Sequence, residues 1–142
     1  MTSTNWIVWA LLSATFAGMT AILAKVGVEG VNSNVATAVR TTVVLLFSWM
    51  IALPGLRETP LASLGRRTWL FLTLSGLATG LSWVCYFRAL QLGKASQVAP
   101  VDKLSVVLVI VFAAVFLGER LTVYEYVGAT LIAAGALLLA FE

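Results

Sequence analysis

Apolar and polar positions fall into long blocks along this chain, without the short alternation expected of strands. Five apolar runs, at about 6–24, 35–53, 69–89, 98–117 and 124–141, are separated by short polar links. At 1.5 Å per residue each is long enough to cross the ~30 Å hydrocarbon layer of a bilayer as a helix. Continuous runs argue against an outer-membrane barrel, whose strands alternate lipid-facing and lumen-facing residues. The pattern predicts an all-α membrane protein with five transmembrane helices in one domain, 1–142, kept as mature structure because no basic leader precedes the first run.

The links carry the expected stop and start chemistry. Asn32-Ser33-Asn34 offers caps for the second helix, and Pro54-Gly55 ends it. Pro60 keeps the next link out of helical geometry, Gly93 breaks the third helix, and Ser96 is a candidate cap for the fourth. Gly118-Glu119-Arg120 ends the fourth helix, and Thr122 with Glu125 has the spacing of a capping box for the fifth. Calling the amino-terminal side A, Trp6, Trp9, Trp49, Trp69, Tyr124 and Tyr126 form an aromatic belt there. Trp83 and Tyr86 form a thinner one on side B.

Composition agrees with lipid as the outer solvent. Of 142 residues 61% are hydrophobic and only 11% charged, where a soluble domain carries about 25% charged residues. The net charge of +3 comes without the basic, aromatic-studded surface of a nucleic-acid binder, so no nucleic acid partner is expected. The chain has no histidine and one cysteine, Cys85. That excludes a Cys/His zinc site and a His-dependent triad; no metal, cofactor or catalytic residue is expected, and the chain is not read as an enzyme. Cys85 lies in an apolar run and reads as a small buried hydrophobe.

Ionisable residues inside spans are the functional candidates, since hydrocarbon rejects them unless they are paired or hydrated. Arg40 and Asp102 each lie six to seven residues inside their spans, roughly 9–10 Å from side B. Lys103 follows one position later, about 100° further around the helix. Arg40, Asp102 and Lys103, with Gln97 and Ser105 as polar neighbours, are the candidate solute or ion path; snorkelling or structural pairing is the alternative for the charges. Pro100 is the candidate helix break, because it removes one helical N–H and frees the Ser96 carbonyl. Gly76 and Gly80 have GxxxG spacing, and Gly128 and Gly135 stand one heptad apart; these four are read as helix-packing positions. Ser13, Thr15 and Thr20 give the first span mild polarity without an acid.

Basic residues scarcely choose an orientation. Arg57, Arg66, Arg67 and Arg120 lie on side A, against Lys25, Arg88 and Lys94 on side B, with Arg40 and Lys103 embedded near B. Two assemblies fit that balance. The chain inserts both ways and forms an antiparallel homodimer, or it keeps one orientation with a parallel copy or another protein.

The segment QLGKASQVAPVDKLSVVLVIVFAAVFLGERLTVYEYVGATLIAAGALLLA, with VATAVRTTVVLL and Tyr86-Phe87-Arg88-Ala89-Leu90 upstream, resembles the EamA domain of the drug/metabolite transporter superfamily. The resemblance implies one EamA-type repeat, a half-length form of carriers usually built from two such domains in opposite orientation. It further implies a bacterial inner-membrane, multi-pass secondary transporter of a small polar or charged metabolite or drug-like solute. Alternating access in a dimer would be its mechanism. A non-transporting scaffold or accessory subunit is the competing reading. The four-span small multidrug exporters are similar in scale, but their first-span glutamate is missing from TFAGMTAILAKVG.

Overall fold

The five apolar runs form helices because a chain in lipid must satisfy every backbone N–H and C=O internally. The structure is a computed structural model in which residues 5–141 are described, and among these no strand occurs. Helix α1 spans Asn5–Gly27, α2 Ser33–Ala52, α3 Arg66–Leu92, α4 Ala95–Asp102, α5 Leu104–Phe116 and α6 Val123–Ala140. Taking α4 and α5 as one interrupted segment, five segments are long and apolar enough to cross a membrane. No more than 11% of any of them is buried within the chain. Side chains such as Trp9, Leu46, Leu77 and Leu138 therefore stand on open faces. Water would penalise that arrangement by about 1.5–3 kcal/mol per large apolar side chain, whereas lipid does not.

Several threonines within the spans bond to their own backbone. Thr15 donates to the Leu11 carbonyl, Thr42 to Ala38, Thr79 to Ser75 and Thr130 to Tyr126, all four residues back at 2.8–3.0 Å. Such bonds remove the cost of a bare hydroxyl in hydrocarbon.

The residues fall into two compact units. One takes the chain up to Lys25 and from Leu92 onward; the other is Val26–Gln91. In the first, α6 lies against both α4 and α5, with Ala136 buried, and Lys25 Nζ donates to the Gly93 carbonyl at 3.0 Å. The second holds α2, two short 3-10 turns at Leu53–Arg57 and Leu61–Ser63, and α3. Val28, Ser33, Thr37, Phe87 and Leu90 are its buried residues.

Asn32 caps α2, its Oδ1 accepting from the Asn34 N–H at 2.9 Å. The α4 start differs from expectation: Lys94 occupies the cap position with no side-chain bond, and Ser96 is already helical. Pro60 does hold an extended backbone, yet the residues after it close a 3-10 turn. Gly118 takes φ 68°, a left-handed conformation that glycine adopts without steric cost. This lets the Glu119 N–H return to the Ala113 carbonyl at 3.2 Å and ends α5.

The capping box before α6 is complete. Thr122 Oγ1 accepts from the Glu125 N–H at 3.4 Å, and Glu125 Oε2 accepts from the Thr122 N–H at 2.6 Å. Thr122→Ala removes one side of this exchange. It is expected to lower stability by about 1 kcal/mol, read as a lower unfolding midpoint of the protein in maltoside micelles. An unchanged midpoint would mean that the cap carries no net stability in a membrane setting.

Candidate functional site

In the second unit the site is built around Arg40. It is the eighth residue of α2, about 10 Å along the helix from Ser33 at 1.5 Å per residue. Its guanidinium carbon lies 4.2 Å from the centre of the Trp83 ring and 5.5 Å from that of Phe87. Trp83 and Phe87 are four residues apart on α3 and so share a face. One cation therefore meets two π-faces, each worth about 0.5–2 kcal/mol depending on desolvation.

Below this pair the ends of the helices are tied together. Phe87 and Leu90 are buried, and Thr37 Oγ1 donates to the Ser33 carbonyl at 2.8 Å. Gln91 does the linking: its Nε2 donates to the carbonyls of Val28 (3.5 Å) and Val31, while its Oε1 accepts from Arg88 at 3.2 Å. The link between α1 and α2 is thus held by a residue from the last turn of α3.

The first unit contains the other predicted residues. The fourth span is interrupted: α4 stops at Asp102, Lys103 is a turn, and α5 begins at Leu104. Pro100 lies inside α4, and the interruption comes three residues beyond it. There the hydrogen bonding tightens, with the Lys103 N–H on the Pro100 carbonyl and the Val106 N–H on the Lys103 carbonyl, both 3.0 Å and both three residues apart. At this joint Lys103 Nζ lies 3.4 Å from Asp102 Oδ2, with 57% of the lysine and 37% of the aspartate side chain accessible. Ser105 follows in the first turn of α5, and Gln97 lies half-buried on α4. Asp102, Lys103 and Ser105 thus gather at one joint, with Gln97 further along α4; Arg40 belongs to the other unit. No group of three or more metal-ligating side chains occurs among the described residues.

A half-buried cation on aromatic faces in one unit, and an ion pair at a broken helix in the other, are each features that solute carriers use. Residues 4–141 match the EamA-like transporter family over nearly the whole chain. The chain belongs to the EamA-like transporter family. It is therefore a multi-pass membrane protein carrying one EamA domain of the drug/metabolite transporter superfamily, and the family is one of transporters and not enzymes.

Two curated relatives carry transporter names. An uncharacterized transporter in the cobO 3′ region of Sinorhizobium sp is 55% identical over 139 residues, covering 97% of this chain and 98% of that one. Uncharacterized transporter YxxF of Bacillus subtilis (strain 168) is 26% identical over 133 residues, covering 93% of this chain but only 41% of the relative. No solved structure matches the chain.

Gly76 and Gly80 are exposed and Gly128 and Gly135 half-buried, and none of the four packs closely against another helix of the chain. A methyl group built on any of them meets nothing within 4 Å. Three side chains with defined partners lie outside the residues read as pathway. Trp83 reads in the sequence as a belt residue and Phe87 only as part of the segment carrying the family resemblance, yet both face Arg40. Gln91 clamps two carbonyls. The W-x-x-x-F spacing at Trp83 and Phe87 is the one signal in the sequence that points to a shared face on α3.

Proposed function

We propose that this EamA-like chain is a secondary transporter of a small polar or charged metabolite or drug-like solute in the bacterial inner membrane. It works by alternating access as an antiparallel homodimer. The observation that carries the reading is the interrupted fourth span with the Asp102–Lys103 pair at its joint. Discontinuous helices at membrane depth are where carriers expose backbone and charge to solutes and ions. Gln97 and Ser105 supply neutral polar contacts on either side of that joint, and Pro100 weakens the helix leading into it.

Three features support a pair of chains. The matched region is one five-helix domain, whereas carriers commonly set their site between inverted repeats. Loop cations are nearly balanced between the two sides, which leaves orientation weakly specified. The four glycines, two on α3 and two on α6, leave room for the backbone of another helix to approach closely.

Purified protein reconstituted in liposomes and challenged with a chemically broad solute set tests the reading. Saturable, gradient-dependent flux of a defined solute class is expected. Absence of flux across the set, together with stable co-purification of a different membrane protein, would replace transport by the accessory-subunit reading.

A further inference from the structure

The Arg40 site has a property that the fourth-span joint lacks: a cation with no anion of its own. Arg40 forms no salt bridge with a carboxylate among the described residues; beside the two rings its neighbour is Tyr86, with which it interacts electrostatically. The side chain is half-buried. The acids of its own unit are Glu29 and Glu58, and both lie in links outside the helices. The ring contacts involve the π-faces and use none of the five guanidinium N–H donors as a carboxylate would. The N–H edge is the surface that forks onto a carboxylate or phosphate.

The side chain also reaches toward the interior of the span. Trp83 lies about 13 Å from the end of α3 and Phe87 about 7 Å, at 1.5 Å per residue. The guanidinium is closer to the Trp83 ring (4.2 Å) than to that of Phe87 (5.5 Å). A snorkelling arginine would run outward past Phe87 to the headgroups. This one lies nearer the deeper of the two rings.

We propose that Arg40, seated on Trp83 and Phe87, binds the oxyanion of a carboxylate- or phosphate-bearing solute. The inference rests on the transporter reading and narrows its substrate to organic anions. The planar fork recognises the oxyanion, and the indole and phenyl faces keep the fork oriented while favouring solutes with an apolar body.

Binding is measured by calorimetry and tryptophan fluorescence on the intact protein in a phosphate-free maltoside detergent. Benzoate and inorganic phosphate are the probes, and uncharged benzamide is the control. Benzoate is expected to bind saturably and change Trp83 emission, with benzamide silent. Arg40→Gln should weaken benzoate binding about 10–100-fold, the loss of a charge-assisted hydrogen-bonded pair. Arg40→Lys, which keeps the charge and loses the fork, should weaken it less. Trp83→Phe should abolish the emission change while calorimetric phosphate binding persists. Should Arg40→Gln fail to elute as a folded species, Arg40→Lys and Trp83→Phe carry the same comparison.

Equal binding of benzamide, or benzoate affinity indifferent to Arg40→Lys and Arg40→Gln, overturns the proposal. So does retention of a phospholipid by wild type and not by Arg40→Gln, with benzoate excluded in phospholipid nanodiscs, which would make the occupant a headgroup. The two readings fail separately. Solute flux that ignores Arg40 keeps the transporter and removes the anion site. Arg40-dependent benzoate binding without flux of any solute keeps the site and removes the transporter.

Discussion

Two variants biased toward opposite orientations are expected to be inactive alone and active together. Side A carries Arg57, Arg66, Arg67 and Arg120 in its links and helix starts, and side B carries Lys25, Arg88 and Lys94. Glu58→Arg with Thr59→Arg raises side A to six loop cations against three. Glu29→Arg with Arg57→Gln and Arg66→Gln leaves side A with two against four. Excess Lys and Arg holds a loop on the cytoplasmic side, so each variant inserts one way. None of these residues lies in the Arg40 or Asp102 sites, which leaves each chain's own chemistry intact.

If the working unit is an antiparallel pair, either variant alone supplies only one of the two required orientations. Flux then falls to the level of protein-free liposomes and returns on co-expression. Labelling a thiol introduced by Ser63→Cys, in a Cys85→Ser background, reads orientation independently: both sides for the parent, one side for each variant. Full flux from either variant alone, with labelling on a single side, would establish a parallel or single-orientation assembly and remove the inverted pair.

What the sequence makes legible divides along a physical line. Helix existence is written in hydropathy, because lipid tolerates little else, and all five spans follow from it. Local capping is also legible: Asn32 and the Thr122–Glu125 box act within a few residues of chain, where spacing alone decides the partner. Depth along a span is readable by counting, and it ranks Arg40 and Asp102 as embedded charges. Bearing around the helix axis is not readable that way. Whether Arg40 meets Trp83 depends on how α2 and α3 rotate against one another, a tertiary outcome with no local code. Gln91 escapes for the same reason, since its acceptors Val28 and Val31 are some sixty residues away. Pro100 announces a weak point in the fourth span, but the turn itself falls at Lys103, where the three-residue bonds take over.

The second large effect is expected at that turn. Asp102→Asn should cut gradient-driven accumulation of the transported solute at least ~10-fold while solute-for-solute exchange continues. Asp102 is the one acid deep in a span among the described residues: Glu125 is engaged in the cap of α6, and Glu29, Glu58 and Glu119 lie in links. Asparagine keeps the size of the side chain but neither carries a proton on and off nor balances the Lys103 ammonium 3.4 Å away. Lost stability is the rival explanation, and it is read by size-exclusion elution, which should match wild type. Asp102→Glu, which restores the carboxylate one methylene further out, should recover part of the driven flux. A purely structural pair behaves differently, since exchange, driven flux and elution would then decline together. Unchanged driven flux and unchanged pH dependence in Asp102→Asn would remove the residue from coupling, and would leave the break at Lys103 to act through its backbone carbonyls alone.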